Sequence, residues 1–290
     1  MKIDFIGIGI SRSGTTWLFY TLGQHPEICL SEPKEILYFN MLNFSRGANT
    51  FNNKNRNFDR SKSWYMNHFD HCKADTIKGE FSPAYFQDRI APVKIKSLFP
   101  DVKLILNLRN PVDWIYAVYW QRREYTKIEK RSFKELIKID REFISRGFYS
   151  TRLKIYLEEF DRSQIIINLF DDIVKSPETL LAKNLIYLGL NPSFRFNLGK
   201  SPKNPAKHIR YGYMINIMQS FTSMMIELKQ SKTLSYLRRA GLKDFIFRLI
   251  SKPNKYPEMD GEDREFLKEI YRHDINILEN LTDIDLGIWK

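Results

Sequence analysis

Arg12, Ser13, Thr15 and Thr16 crowd around a glycine turn, Gly9-Ile10-Ser11-Arg12-Ser13-Gly14, which follows an apolar run and precedes Trp17-Leu18. That order reads as strand, tight turn and helix start. Backbone N–H groups at a helix N-terminus lack intrahelical acceptors and carry partial positive charge, so such a turn can cradle phosphate. The four residues between Gly9 and Gly14 match a Walker-type loop, but Thr15 stands where the nucleotide-binding lysine belongs, and the cation, Arg12, lies inside the loop. These residues point to a phosphorylated nucleotide handled by something other than an ordinary ATP or GTP hydrolase. Glycine turns between strand and helix also arise for steric reasons, and the loop alone leaves that reading open.

Three further groups could do chemistry on such a ligand. Arg109 leaves the apolar run Leu104-Ile105-Leu106-Asn107-Leu108 at its C-terminal end, ahead of Asn110-Pro111-Val112-Asp113. Its planar fork suits bidentate phosphate contact; an Arg109–Asp113 ion pair at a helix start is the alternative. Glu35, in Glu32-Pro33-Lys34-Glu35-Ile36-Leu37-Tyr38-Phe39, is either a general base or a solvated loop charge. Residues 199–210 include Lys200, Lys203, Lys207 and Arg210, no acid, and prolines that forbid a regular helix. A basic loop of this kind closes over an anion or is simply solvated. The five histidines show no ligand-like spacing, His68 and His71 being the nearest approach, so no metal site is expected. Cys29 and Cys72 lack a paired motif and are expected to be reduced thiols. Trp114, Tyr116, Tyr119 and Trp120 read as core and pocket wall rather than a nucleic-acid stacking platform.

The apolar pattern gives the elements that must position these groups. Strands are expected over 3–10, 28–30, 76–80, 102–108 and 165–169. Helices are expected over 14–24 and 89–98, from Pro111, once or twice over 131–160, and over 176–188. A final amphipathic helix over 262–281 places Phe266, Ile270, Ile277 and Leu281 near one face. Residues 43–63, rich in Asn, Lys, Arg and Ser, read as a long surface loop, and 213–255 as helices with eight Lys/Arg against two acids. This alternation predicts an α/β fold: a P-loop-like parallel sheet flanked by helices, with a helical C-terminal portion. Ligands of such sheets sit beyond the carboxyl ends of the strands, and the positions after Gly9, Glu80 and Leu108 fall there.

The 290 residues fit one domain over 1–290, and 43% apolar with 28% charged residues is ordinary for a soluble enzyme. A formal charge of +12 predicts attraction to anions without choosing among nucleic acid, anionic lipid and acidic glycan. No apolar run reaches the ~18 residues of a membrane span and no signal-type segment is visible, so a cytoplasmic location is expected. Peripheral membrane contact through residues 243–250 is disfavoured against a packed helix with a basic outer face.

Together these residues resemble the sulfotransferases that use 3′-phosphoadenosine 5′-phosphosulfate (PAPS). Arg12-Ser13-Gly14-Thr15-Thr16-Trp17-Leu18 is similar to that family's 5′-phosphosulfate loop, with arginine for its usual lysine, and Leu108-Arg109-Asn110-Pro111-Val112-Asp113 to its 3′-phosphate motif. Gly79-Glu80-Phe81-Ser82-Pro83-Ala84-Tyr85-Phe86, Arg146-Gly147-Phe148-Tyr149 and the ending Asp285-Leu286-Gly287-Ile288-Trp289 resemble the branch acting on heparan sulfate and its bacterial relatives. The resemblance implies sulfuryl transfer from PAPS to a hydroxyl or amine of a glycan, glycolipid or small metabolite. The product would be adenosine 3′,5′-bisphosphate, with no metal and no nucleic-acid partner. It further implies that Arg12 stabilises the leaving group, Ser13, Gly14, Thr15 and Thr16 hold the 5′-phosphate, Arg109 binds the 3′-phosphate and Glu35 is the base. Lys200, Lys203 and Arg210 would close over the donor or acceptor, Trp17 and Tyr149 would line the adenosine pocket, and 43–63 and 213–255 would shape the acceptor side.

Two positions depart from the family pattern. One is Arg12, and the other is Ala117, where the family has a serine eight residues after the 3′-phosphate arginine; Ser97, Arg122 and Arg123 are candidates to replace its hydrogen bond. The competing readings are a metal-dependent P-loop kinase, opposed by the missing Gly-Lys-Ser/Thr, and an anion-binding protein that keeps the fold without catalysis.

Overall fold

The computed structural model describes residues 2–41, 55, 57–125, 129–198, 207–209, 251–253 and 256–290. Strands β1 (Phe5–Gly9), β2 (Ile28–Leu30), β3 (Ile77–Phe81), β4 (Lys103–Leu108) and β5 (Ile165–Leu169) form one sheet in the order β2-β3-β1-β4-β5. Every pairing is parallel. Parallel strands need crossovers, and the helices supply them: α1 (Thr15–Leu22), α2 (Lys62–Met66), α3 (Ala91–Leu98), α4 (Pro111–Trp120), α5 (Phe133–Ile139), α6 (Arg141–Ser145) and α7 (Tyr149–Glu159). After β5 come α8 (Phe170–Lys175), α9 (Pro177–Leu188) and the long α10 (Gly261–Thr282). The expected α/β architecture, a parallel sheet flanked by helices and closed by a C-terminal helix, is what the chain forms.

One core layer joins Phe5, Phe81, Ile105 and Ile166 of the sheet to Leu18 and Leu22 of α1, Ile173 of α8, and Leu181 and Leu185 of α9. Side chains alternate across a strand, and the intervening Ile6, Ile8, Leu104, Leu106 and Ile167 are buried too. Both faces are therefore covered, as all-parallel sheets require. Gly7 makes room for this packing: a Cβ there would meet the Phe81 ring at 2.0 Å.

The chain divides into two compact units, residues 1–117, 133–203 and 259–290 in one and 118–132 and 204–258 in the other. The sheet belongs to the first. In the second, β6 (Lys207–Ile209) pairs antiparallel with β7 (Ser251–Pro253), Trp120 stacks on Tyr256 at 6.0 Å, and Arg131 pairs with Glu129 at 2.8 Å.

Four expectations need correction. Ser251–Pro253 is a strand, although it lies in the stretch read as helical. Asn55 is buried within the stretch read as surface loop, because its amide donates to the Asn40 carbonyl at 2.9 Å. The buried face of α10 is Leu267, Tyr271, Ile275 and Leu278; Phe266, expected on that face, is exposed. The polar Asp274 joins this face by accepting from the Ser150 N–H at 3.2 Å at the start of α7, a pairing that an apolar count misses. Finally, Cys29 and Cys72 are not free thiols but a disulfide, joining β2 to the turn after Phe69 across 43 residues of sequence.

Candidate active site

The glycine turn is shaped by groups that take up its carbonyls. Trp114 Nε1 donates to the Ser11 carbonyl at 2.8 Å, Arg109 Nη1 to that of Arg12 at 3.3 Å, and Asn107 Nδ2 to that of Ser13 at 3.3 Å. The Ser13 hydroxyl turns inward toward the carbonyls of Ile10 and Asn107. The three donating side chains come from β4, the short connection after it and the start of α4. Gly14 caps α1 in the left-handed region at φ 82, where a Cβ would also meet Ile173 at 2.6 Å. The first-turn N–H groups of Thr15, Thr16 and Trp17 have no intrahelical acceptor, and no side chain caps the helix to take them up. With carbonyls held on one side and donors unclaimed on the other, the turn can receive an anion.

Behind it lies a buried amide ladder. Asn168 Nδ2 donates to Asn107 Oδ1 at 3.1 Å, and Asn168 and Asn184 exchange bonds at 3.1 and 3.0 Å. Asn107 and Asn168 are register partners in β4 and β5. Each interrupts an apolar strand one residue before its end, a signal the sequence carried unread.

Of the proposed phosphate ligands, Arg12 and Arg109 meet at the turn, Thr16 is exposed and Thr15 is buried. Ser13 has its hydroxyl committed to the backbone, which leaves its N–H as the group to offer a ligand. The Arg109–Asp113 pair does not form: Asp113 bonds Arg264 at 2.9 Å, while the Arg109 guanidinium lies 4.8 Å from the Phe170 ring centre. Trp17 keeps a buried indole N–H without an acceptor. Tyr149 is enclosed in the core, its ring 6.0 Å from Trp114 and 6.5 Å from Trp289, its hydroxyl also lacking a partner. Trp114 thus links two motifs remote in sequence, at Tyr149 and Trp289, to the turn. Ala117 is fully buried, and the Ser97 hydroxyl bonds Lys94 of its own helix. Lys200, Lys203, Arg210 and nearly all of 213–255 lie outside the described residues.

Glu35 sits on a segment braced from β3. Its N–H donates to the Phe81 carbonyl at 3.1 Å, and its carboxylate, half exposed, pairs with Lys34 at 2.8 Å. Lys34 in turn lies 6.0 Å from the ring centre of Phe19 on α1, one turn beyond Thr15 and Thr16. Glu35 and Leu37 both have positive φ, 68 and 55, a conformation that costs energy unless held. The holding group is Glu80, which is fully buried. It accepts from Ser82 at 2.7 Å, Tyr85 at 2.8 Å, Tyr65 at 3.1 Å and the Ile36 N–H. Ser82 and Tyr85 oxygens accept in turn from the N–H groups of Leu37 and Tyr38. Burial pushes the Glu80 carboxyl up to about 7, against the pull of its four donors. The phenols of Tyr65 and Tyr85 are pushed well up by burial, then by Glu80, and stay protonated donors. The sequence displayed Glu80 within a motif; its work on the Glu35 segment was not legible there.

A family model described as "Sulfotransferase domain" matches residues 2–285. The chain belongs to this family. This sulfotransferase domain is 25% identical over 293 residues to bifunctional heparan sulfate N-deacetylase/N-sulfotransferase 1 of Xenopus laevis, covering 93% of this chain and 28% of that protein. It is 26% identical to the Homo sapiens protein of the same name over 293 residues, again 93% of this chain and 28% of the relative. The domain thus spans less than a third of the length of these relatives. Among solved structures, it superposes on a sulfotransferase from Alicyclobacillus acidocaldarius with a TM-score of 0.71 and 22% identity, covering 100% of this chain and 99% of the other. A sulfotransferase domain from the curacin biosynthetic pathway gives a TM-score of 0.50 and 17% identity over 70% of this chain and 79% of that one. At these identities the superpositions speak for the fold. No described helix of the sulfotransferase domain is long and apolar enough to cross a membrane.

Proposed function

We propose that the chain transfers a sulfuryl group from PAPS to a hydroxyl or amine of a carbohydrate, glycolipid or small-molecule acceptor. The observation that carries this reading is the turn itself: carbonyls fixed by Trp114, Arg109 and Asn107, an uncapped first turn of α1, and two arginines beside it. In this reading the N–H groups from Ser13 to Thr16 and the Thr16 hydroxyl hold the 5′-phosphate, and Arg109 takes the 3′-phosphate. Glu35 removes the acceptor proton while the acceptor oxygen or nitrogen attacks sulfur. The bond between sulfur and the phosphate oxygen breaks, and Arg12 with the turn's N–H groups stabilises the charge left on adenosine 3′,5′-bisphosphate. The donor is already an activated anhydride, so cationic side chains can do what a divalent ion does for a kinase. The orphaned indole of Trp17 fits the adenosine side, and Tyr149, packed against Trp114, is proposed to back the pocket through that ring. Lys200, Lys203 and Arg210 are proposed to close over the donor, 1–290 to act as one domain, and the protein to work in the cytoplasm.

Calorimetry with adenosine 3′,5′-bisphosphate, with and without Mg²⁺, tests the donor. Metal-independent binding is expected, and absence of binding rejects the reading. Ala117, with no hydroxyl to offer, favours a second reading in which the chain binds the nucleotide without transferring from it. A sulfate-transfer assay across glycan and small-molecule acceptors separates the two.

A further inference from the structure

We propose that Cys29, His71 and Cys72 form a redox-gated site for a thiolate-favouring divalent cation such as Zn²⁺, open when the disulfide is reduced. The three donors come from two anchored segments. Cys29 lies in β2, in register with Lys78 of β3, and Cys72 follows the 3₁₀ turn Asn67–Phe69, its N–H donating to the Phe69 carbonyl at 2.9 Å. The ligand atoms all fall within 4.8 Å of one another. His71 Nε2 is 3.5 Å from Cys29 Sγ and 3.8 Å from Cys72 Sγ.

Those separations are the telling feature. Zinc–sulfur bonds of ~2.3 Å and zinc–nitrogen bonds of ~2.0–2.1 Å at tetrahedral angles put nitrogen and sulfur ~3.6 Å apart. Both nitrogen–sulfur edges of a tetrahedral site are therefore already in place. The remaining sulfur–sulfur edge, ~3.8 Å in the same geometry, is taken up by the covalent bond. Neither cysteine is buried and His71 is exposed, so a dithiol and the metal ion can both reach them. The expectation of no metal site rested on sequence spacing, which cannot reveal donors 43 residues apart.

The chemistry balances. A dithiol gives two electrons and two protons to the sulfur–sulfur bond and leaves as its own disulfide. The two thiols then lose both protons to solvent as Zn²⁺ binds, so two thiolates neutralise the ion, the imidazole supplies a third ligand and water the fourth. His71 Nε2, now 3.1 Å from the Leu30 carbonyl, releases that contact and carries its proton on Nδ1. The disulfide and the metal would join the same two segments, so one tie replaces the other when the redox state changes.

The full chain, reduced and freed of reductant under anaerobic conditions, is titrated with Zn²⁺ against a chromophoric chelator, and with Co²⁺ to follow thiolate charge-transfer bands. One equivalent of tightly held metal is expected in the reduced protein and none in the oxidised. Cys29→Ser and Cys72→Ser should each abolish binding, and His71→Ala should weaken it at least tenfold. Binding that survives in the Cys29→Ser/Cys72→Ser double variant, or is untouched by His71→Ala, overturns the proposal, as does absence of a thiolate–cobalt band. Circular dichroism confirms that each variant is folded. None of these readouts depends on sulfuryl transfer, so they stand or fall apart from the donor reading.

Discussion

The glycine turn and the Glu35 segment are held by opposite means. At the turn, carbonyls of Ser11, Arg12 and Ser13 are taken by Trp114, Arg109 and Asn107, and the buried support behind them is a ladder of neutral amides. At the Glu35 segment, the support is one buried carboxyl, Glu80, with hydroxyl groups relaying its hold to the backbone N–H groups of Leu37 and Tyr38. Neutral amides keep their hydrogen-bonding pattern at any ordinary pH, whereas a carboxyl pushed up to about 7 changes from acceptor to donor near neutrality. The turn is thus built to be indifferent to pH and the Glu35 segment to respond to it.

The two sides should separate most sharply in Glu35→Gln. Turnover is expected to fall by about 10²–10⁴, while calorimetric affinity for adenosine 3′,5′-bisphosphate stays within about twofold, since the carboxylate pairs with Lys34 and is not among the groups proposed to hold the nucleotide. Turnover that survives the substitution removes Glu35 as the base. The complementary variant, Arg109→Ala, should weaken adenosine 3′,5′-bisphosphate by about 10- to 100-fold, the cost of one hydrogen-bonded charge. Adenosine 5′-phosphate should be weakened far less. Equal weakening of both ligands would mean that Arg109 acts only through its bond to the Arg12 carbonyl.

What could be read from the sequence follows the same division. The turn was legible because its chemistry is local: Gly14, Arg12 and the hydroxyls lie within a few residues, and strand and helix flank them. The five strands appear within a residue or two of where apolar runs put them. The bracing of Glu35 was not legible. It depends on Tyr65, Glu80, Ser82 and Tyr85 converging from separate segments, and no local pattern announces that a tyrosine at 65 will donate to a glutamate at 80. The disulfide escaped for the same reason, and the face of α10 was misplaced because Asp274 is buried by a bond rather than by apolarity.

Glu80→Gln should expose the pH response. Protonated Glu80 must donate through one oxygen and so loses one of its four donors, which loosens the Glu35 segment. Turnover of the parent is therefore expected to rise as pH passes through about 7. The amide mimics the protonated form, so the variant should be close to the parent at pH 6, about tenfold slower at pH 8, and flat between. Stability runs the other way. A carboxyl raised from 4.5 to about 7 on folding keeps its full contribution below pH 4.5 and loses about 3 kcal/mol as pH rises to about 7. Urea unfolding at pH 5 and pH 8 should show most of that loss in the parent and little of it in Glu80→Gln. A turnover profile identical in both proteins removes Glu80 as the group that tunes the Glu35 segment.

The smallest effect is expected from the ladder. Asn168→Ala leaves the buried Asn107 Oδ1 and Asn184 Oδ1 without the donor they share, while Asn184 Nδ2 keeps its bond to the Leu180 carbonyl. That should cost about 1–3 kcal/mol of stability, seen as a melting temperature lower by several degrees and equally so at every pH from 5 to 9. Affinity for adenosine 3′,5′-bisphosphate should fall less than about threefold. Asn107 also holds the turn through its own backbone, its carbonyl accepting from Ile10 N–H at 2.8 Å and from the Ser13 hydroxyl at 2.9 Å, and those bonds do not pass through its side chain. If Asn168→Ala weakened adenosine 3′,5′-bisphosphate as severely as Arg109→Ala, the turn would owe its shape to the ladder rather than to the backbone. The turn would then be as dependent on remote buried groups as the Glu35 segment, differing from it only in that its buried support is made of amides that do not titrate.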